Sequence, residues 1–589
     1  MALHLFSSLL PPHKPLLSSP RHHPLLLPHV SSSSSSHHTT GERALVLEQP
    51  PFELEPIPKT ASFNEEPPKD RPFGNDSRKV IPGDLFVCCV GCKTDGHLYI
   101  ADAVRKGAVA VLSSKEVHLD LMPHCGALVV VQSTNSVLPV IAAAFYKNPS
   151  RKMSVVGITG TNGKTTTSHL ASAIYEAMGL RTGMLGTVGY YINGNTQLEE
   201  AQNTTPDAVA VQKLMAKMVY NGAKAVVMEA SSHGLALGRC DEVDFDVAVF
   251  TNLTRDHFDF HRTEQEYRKS KAKLFSKMVD PKRHVKIVNI DDPNAKFFIA
   301  QGNRGVPVLT FAVENKNADI YPLKFELSST TTKVLIKTPN GVLQISSRLI
   351  GTHNVYNILA AAAVGIAVGA SGEEIARGIE GVDGVSGRFE SIDAGRQPFG
   401  VIVDFAHTPD ALSKLLDTVR ELGARRIITV VGCAGESDKG KRPIMTELAV
   451  NKSEVVILTS DNPKTENPLN ILDDMLAGVG WTMHDYVHYC KNDYYPPLPN
   501  GHRLFVHDNR RVAVRAAIAM AEKGDIVAEG TKTINYKVIR RYILMTGKNV
   551  GKLCIISTSC IGQGWEKEFR RWSSESLFCP SMKMSRLGL

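Results

Sequence analysis

The residues best suited to chemistry in this chain lie in Gly157-Ile158-Thr159-Gly160-Thr161-Asn162-Gly163-Lys164-Thr165-Thr166-Thr167. A glycine turn ending in Lys-Thr, set between an apolar strand and a helix, makes a phosphate cradle. Its backbone N–H groups point into a concavity and the helix start adds positive dipole, while Lys164 brings a charge and the Thr165 hydroxyl can ligate Mg2+. ATP binding is the first expectation. The generic P-loop puts four residues between its first glycine and the Gly-Lys pair, a position held here by Ile158, with Gly157 one residue too early. The context still fits: residues 153–158 are apolar enough for a buried strand, and Leu170, Ile174 and Ala177 share one face of a helix over 168–178. A structural glycine turn without nucleotide is the alternative reading.

Two further clusters follow apolar runs. Glu229 ends a strand in Val226-Val227-Met228-Glu229-Ala230-Ser231-Ser232-His233-Gly234, and a carboxylate at the carboxyl edge of a parallel sheet can hold Mg2+ opposite a phosphate loop. Past the next strand, Thr251-Asn252-Leu253-Thr254-Arg255-Asp256-His257-Phe258-Asp259-Phe260-His261 carries two acids and two histidines within six residues. A lone histidine is usually structural; this density at a sheet edge points to a site.

The elements that must position these groups alternate. Apolar runs at 225–229, 247–251 and 285–289 are separated by helical stretches such as 207–220 and 264–278, which predicts a mostly parallel sheet with helices on both faces. A smaller α/β unit precedes it, with strands over 80–90 and 108–112 and helices near 101–106 and 137–146. Residues 317–350 read as antiparallel strands. An Ala-rich helix over 351–369 opens a further unit whose strands at 401–404, 427–431 and 455–460 predict a second doubly wound sheet. The fold class is therefore α/β with three domains of unequal size, divided as 75–150, 151–348 and 349–532. No repeat of solenoid period is visible.

Ahead of them, residues 1–41 contain no Asp or Glu and residues 31–36 are all serine, the composition of a plastid transit peptide, here 1–45, or of a disordered tail. Residues 46–74 read as a linker. The hydrophobic share of 43%, the charged share of 21% and the absence of an eighteen-residue apolar run indicate a globular chain without a membrane span. The net charge of +8 is scattered, so no direct nucleic-acid site is evident. Ten cysteines include the close pair Cys89 and Cys92 but no second pair to complete a zinc site, which fits reduced thiols.

Together, Gly160-Thr161-Asn162-Gly163-Lys164-Thr165-Thr166, the block from Glu229 to Gly234, and Thr251 to His257 resemble the Mur ligases. The nearest branch is MurE, including its plant plastid homologues, and the resemblance runs from about residue 75 to 527. It implies a small N-terminal UDP-binding domain, a central P-loop ATPase domain and a C-terminal Rossmann-like domain. The implied activity is ATP-dependent amide formation between UDP-N-acetylmuramoyl-L-Ala-D-Glu and an amino acid, diaminopimelate first, through an acyl-phosphate.

By the same resemblance Ser77, in Asp76-Ser77-Arg78, belongs to the uridine site, and Asn203, Thr204 and Thr205 hold the muramoyl-peptide with Ser231 and Arg239. Gly160, Thr161, Asn162, Gly163, Lys164, Thr165 and Thr166 bind ATP, joined by Asn354, Asn357, Arg388, Asp404 and His407. Lys164, Glu229, His257 and Lys271 are catalytic. Two Mg2+ ions fall to Thr165, Glu229, His257 and Lys271, the last as the carbamate N6-carboxylysine. A carbamate turns a cation into an anionic metal ligand; read without the family, Lys271 is a surface lysine.

The incoming amino acid is assigned to Asp461, Asn462 and Lys464, and here the match weakens. Ser437 stands where the family usually has Arg, and Lys464 where diaminopimelate-adding enzymes have Arg, so the bidentate fork is lost. After Gly524-Asp525-Ile526-Val527 the family continues into a Gly-Lys-Gly-His-Glu turn; this chain reads Ala528-Glu529-Gly530-Thr531-Lys532-Thr533. Permissible codons for 533–553, read one register away, spell a MurE-like C-terminus, so 533–589 is read as a frame-shifted tail with no assigned fold. The alternative to the ligase is a catalytically impaired, MurE-like scaffold associated with the plastid-encoded RNA polymerase and chloroplast development. Either would reside in the chloroplast stroma or nucleoid. A folylpolyglutamate-type ligase is a more distant reading.

Overall fold

In the computed structural model, residues 73–530 are described except 75, 92–93, 119–124, 193–195, 200, 202, 329, 393–397, 492–497 and 499–500. The expected leader (1–45) and tail (533–589) lie outside the described residues, as does the linker up to residue 72.

The N-terminal sheet is parallel, with strands β1 (Phe73–Gly74), β2 (Leu85–Val87), β3 (Ala110–Ser113) and β4 (Ala127–Val130) in sequential order. Residues 73 and 74 pair with Leu85 and Phe86 and so belong to the sheet, not to a linker. The strand expected over 80–90 shortens to three residues, because Gly83 takes a positive φ of 96° and the Cys89 N–H folds back onto the Val87 carbonyl. Helices α1 (Ile100–Arg105) and α2 (Thr134–Phe145) cover it, with Leu138 and Ala142 of α2 meeting Val87 and Leu112.

The middle domain holds an eight-stranded sheet in the order β12-β11-β10-β5-β9-β6-β7-β8. Its strands are β5 (Ser154–Thr159), β6 (Thr182–Leu185), β7 (Tyr190–Ile192), β8 (Thr196–Glu199), β9 (Ala225–Glu229), β10 (Val247–Phe250), β11 (Val285–Asn289) and β12 (Val308–Phe311). All pair in parallel except β7 and β8, which add an antiparallel edge. β5 is central and buried along its whole length, so the turn that follows it opens at the middle of the sheet's carboxyl edge. The crossing helices are α3 (Lys164–Ala177), α4 (Ala208–Tyr220), α5 (Ser232–Ala236), α6 (Phe258–His261), α7 (Glu264–Ser276) and α8 (Ala295–Ile299).

Strands β13 (Tyr321–Leu327), β14 (Thr332–Thr338) and β15 (Gly341–Ser347) form the expected antiparallel sheet. Val334, Ile336 and Ile345 on its inner face share one core with helices α9 (Thr352–Ala367) and α10 (Gly372–Glu380) and with Leu170 and Ile174 of α3. The Ala-rich helix thus packs with the middle sheet instead of opening the third. Its alanines, and Gly378 on α10, permit close approach: a Cβ at Gly378 would stand 2.6 Å from the Ile174 backbone.

The third sheet runs β16-β17-β21-β18-β19-β20, parallel except for β16. Its strands are β16 (Glu390–Ser391), β17 (Gly400–Asp404), β18 (Ile427–Cys433), β19 (Val455–Ser460), β20 (Arg503–His507) and β21 (Ile526–Gly530). Helices α11 (Pro409–Glu421), α12 (Lys441–Lys452), α13 (Pro468–Leu476), α14 (Met483–Lys491) and α15 (Arg510–Met520) complete it. Among the described residues no helix is long and apolar enough to cross a membrane.

Candidate active site

Two glycines shape the phosphate loop. Gly160 (φ 152°) runs so close to the end of the neighbouring strand β10 that a Cβ would lie 1.9 Å from Thr251 Oγ1, and Gly163 (φ 85°) caps α3 where a Cβ would meet Asn357 Oδ1 at 2.5 Å. The loop is braced from residues 251–254: the Asn162 N–H donates to Asn252 Oδ1 (2.9 Å), Thr251 Oγ1 to the Asn162 carbonyl (2.7 Å), and the Thr254 N–H to Thr161 Oγ1 (2.9 Å). Lys164 Nζ donates to the carbonyls of Gly160 (3.0 Å) and Thr161 (2.8 Å), which parks its charge on the loop. Thr166 is buried in the first turn of α3.

Glu229 stands at the end of β9, beside β5, and is fully buried. Its carboxylate accepts from the Thr187 N–H (2.8 Å), Thr187 Oγ1 (3.0 Å) and Thr165 Oγ1 (3.1 Å). A Thr hydroxyl and a carboxylate meeting at a helix start are the oxygen donors a Mg2+–phosphate complex needs, and a Cβ on Gly186 would fill that space, 2.3 Å from Glu229 Oε1. Thr187 carried no signal in the sequence, since it lies in a loop after β6. Behind Glu229, Thr205 Oγ1 bridges the Glu229 carbonyl (2.7 Å) and Ser231 Oγ (2.9 Å), and Arg239 donates to the Thr205 carbonyl (2.8 Å). Thr204 Oγ1 lies 3.1 Å from Thr187 Oγ1, and the Asn203 carbonyl accepts from the Tyr190 hydroxyl (2.9 Å). The expected peptide-holding residues therefore abut the expected metal carboxylate.

Lys271 lies on α7 and is 1% exposed, not a surface lysine. Nζ donates to the Gly160 carbonyl (2.6 Å) and sits 4.4 Å from the Tyr267 ring centroid. Burial first, and the Lys164 charge second, push its pKa well below the ordinary value, which favours the neutral amine. His257, in a left-handed conformation (φ 58°), is also driven well below its usual pKa by burial, against the opposing pull of Asp256, leaving an imidazole able to ligate. Burial alone would raise the Asp256 carboxyl; the His407 hydrogen bond and the Lys441 charge oppose it and favour the carboxylate.

The third domain reaches into this cleft. Arg388 Nη2 donates to Thr165 Oγ1 (2.8 Å) with its guanidinium 4.4 Å over the Phe405 ring. Asp404 Oδ2 accepts from the Phe389 N–H (2.7 Å) and so fixes the turn that carries Arg388. His407 Nε2 lies 3.5 Å from Asp256 Oδ2, and Asp410 accepts from Asn162 Nδ2 (2.8 Å). Asn354 is 2% exposed; its amide donates to the Ile350 carbonyl (2.8 Å), and its oxygen accepts from Asn357 (2.9 Å). Asn357 in turn lies against the phosphate loop at Gly163 and accepts from Thr167 Oγ1 (3.4 Å). In the N-terminal domain Ser77 begins a short 3-10 turn capped by Asp76, and the Ser77 carbonyl accepts from Lys106 Nζ (3.0 Å).

All three domains match known families in sequence: the Mur ligase family catalytic domain over residues 73–147, the Mur ligase middle domain over 158–365 and the Mur ligase glutamate ligase domain over 387–528. The chain belongs to the Mur ligase family. Within it, the chain is 41% identical over 478 residues to a UDP-N-acetylmuramoyl-L-alanyl-D-glutamate–2,6-diaminopimelate ligase of Bacillus licheniformis, covering 80% of this chain and 91% of that one. It is 61% identical over 459 residues to a chloroplastic MurE homolog of that ligase from Arabidopsis thaliana. The match covers 78% of this chain but spans only 59% of that relative's length. A solved diaminopimelate ligase of the same name superposes with a TM-score of 0.55 at 29% identity, covering 81% of this chain and 95% of its own. A Thermotoga maritima MurF solved with ADP shares the fold at 18% identity and a TM-score of 0.55, covering 81% of this chain and 98% of its own.

The turns expected to receive the incoming amino acid are tightly self-paired. Two turns face each other at the carboxyl edge of β18 and β19: the Gly435 N–H donates to the Asn462 carbonyl (2.8 Å), and Glu436 (φ 48°) and Lys464 (φ 52°) both adopt left-handed backbone. Lys464 Nζ bonds the Glu436 carbonyl (3.3 Å). Asp461 pairs with Arg510 Nη1 (3.2 Å), whose Nε also reaches Glu529 (3.1 Å). Beneath the turns the fully buried Arg442 is gripped by Glu466 (2.7 Å) and Asp474 (2.8 Å). Sequence reasoning missed Arg510 and Arg442, since single arginines in helices carry no spacing signal.

Proposed function

We propose that the chain is an ATP-dependent ligase of the MurE type, acting in the chloroplast on UDP-N-acetylmuramoyl-L-Ala-D-Glu and an amino acid, diaminopimelate first. The observation that carries the reading is the line Arg388–Thr165–Glu229, which runs from the third domain through the phosphate loop to the carboxylate at the end of β9. A guanidinium over the loop can neutralise charge on a transferring phosphoryl group. The substrate carboxylate would attack the γ-phosphate of ATP, releasing ADP and leaving an acyl-phosphate; the incoming amine then displaces phosphate to form the amide.

The backbone N–H groups of Gly160, Thr161, Asn162, Gly163, Lys164 and Thr165 would hold the phosphates. Lys164 would exchange loop carbonyls for phosphate oxygens, and His407 would approach from the third domain. Thr165 and Glu229 would hold one Mg2+, and His257 and Lys271, as N6-carboxylysine, would hold a second. The ions would supply screening between the two anions. A neutral amine in a dry pocket is the form of Lys271 that reacts with CO2. Ser77 would meet the uridine end, Asn203, Thr204, Thr205, Ser231 and Arg239 the muramoyl-peptide, and Asp461, Asn462 and Lys464 the amino acid. Because α9 and α10 pack on the middle core, we place the border of the third domain after α10.

One observation favours a second reading, a MurE-like scaffold attached to the plastid-encoded RNA polymerase: Asp461 is paired to Arg510, and Lys464 is turned onto a backbone carbonyl. Purified protein given ATP, UDP-muramoyl-dipeptide and either diaminopimelate or lysine decides between the two. Amide product with stoichiometric ADP supports the ligase; no product, with co-purifying polymerase subunits, overturns it.

A further inference from the structure

Asp256 is a buried carboxylate on which both domains converge. The side chain is 4% exposed, and Oδ1 accepts from the His257 N–H (2.9 Å) while Oδ2 lies 3.2 Å from His257 Nε2. Those contacts are local. The other two come from the third domain: His407 Nε2 at 3.5 Å from Oδ2, and Lys441 Nζ at 3.6 Å from Oδ1.

Lys441 is an unusual lysine. It is 4% exposed and is the first residue of α12, where the positive end of the helix dipole disfavours a cation. Neither burial nor position suits its charge; the Asp256 carboxylate does. The same holds in reverse, since a buried carboxylate is costly without a partner. Each domain therefore buries a charge that the other neutralises. Around this pair lie three further contacts across the same boundary: Arg255 Nε to Asp438 (3.3 Å), Asn162 to Asp410 (2.8 Å) and Arg388 to Thr165 (2.8 Å). The Arg255 side chain is 46% exposed, so solvent screens its pair with Asp438.

We infer that Asp256 is the positioning residue of the interdomain cleft: by pairing with Lys441 it docks the third domain over the phosphate loop and sets where Arg388 arrives. The contact involves no substrate, so it stands independently of the ligase reading. The test is a distance measurement on the full chain, with spin labels attached through genetically encoded keto amino acids at the exposed Val279 and Asn451. Wild type, Asp256→Asn, Lys441→Gln, the double variant and Arg255→Gln are compared. The expected result is one narrow distance in the wild type and in Arg255→Gln. Both single variants lose it for a longer, broader distribution, and the double variant is no more open than either single one. A wild-type distance in Lys441→Gln, or additive opening in the double variant, overturns the inference. If Asp256→Asn does not fold, Lys441→Gln decides alone, because it leaves the middle domain untouched and its thermal melt reports folding separately.

Discussion

At the scale of single residues, the cleft sorts by what surrounds each charge. Lys271 is surrounded by protein, so its amine is expected to take up CO2: protein equilibrated with 13C-bicarbonate should show a carbamate carbon signal that Lys271→Arg abolishes. Its absence in the wild type would mean the amine stays free or charged. If the ligase reading holds, Lys271→Ala should lower ADP formation by about 100-fold, the size of effect seen when one preorganised electrostatic group is removed, and added formate should restore part of it. Glu229→Gln should weaken MgADP binding by roughly 10- to 100-fold while leaving metal-free ADP binding nearly unchanged, read by calorimetry. Lys164 and Glu229 were legible in sequence because the first closes the glycine turn after an apolar strand and the second ends another, where parallel sheets place ligands. Asp256 was visible only as part of an acid and histidine cluster. Its partners His407 and Lys441 arrive from another domain, a relation that one-dimensional spacing does not encode.

Among the elements, α9 shows most clearly where sequence reasoning stops. Its alanines are buried all round, so no amphipathic stripe tells which neighbour it packs against. In the structure it joins β14 and α3, and its first turn carries His353 between Thr418 and the Phe389 ring. Burial, with a lesser push from Lys414, lowers the His353 pKa to about 4. The unfolded imidazole titrates near its ordinary value of about 6.5 and so binds more protons in between. Stability from this site is thus fully present above about pH 6.5 and is lost as pH falls toward 4. His353→Gln should shrink the stability difference between pH 7 and pH 5 by ~2 kcal/mol in urea melts. The phosphate turn makes a sharper demand. Gly163→Ala must fit a Cβ 2.5 Å from Asn357 Oδ1 at a φ of 85°, and should cost about 1–3 kcal/mol and abolish nucleotide binding. The strand–turn–helix around that glycine was readable because its residues are contiguous. The limits of the 80–90 strand were not, because a turn at Gly83 and a fold-back at Cys89 trimmed it from both ends.

For the whole molecule, a nucleotide that touches two domains should tie them together. Saturation at one hundred times the dissociation constant is worth about 2.7 kcal/mol to the folded state, and should appear as a rise in melting temperature with ADP and Mg2+. Arg388→Ala should reduce that rise while leaving the nucleotide-free melt near wild type. The third sheet has its own order of assembly. β21, residues 526–530, is the last described strand in sequence, yet it lies between β17 and β18 and pairs with both. On the ribosome, therefore, β17, β18, β19 and β20 are all made before the strand that joins the first of them to the rest. The N-terminal and middle domains can complete as they emerge, while the third must wait half-built, with two facing strand edges open, until residue 530 clears the exit tunnel.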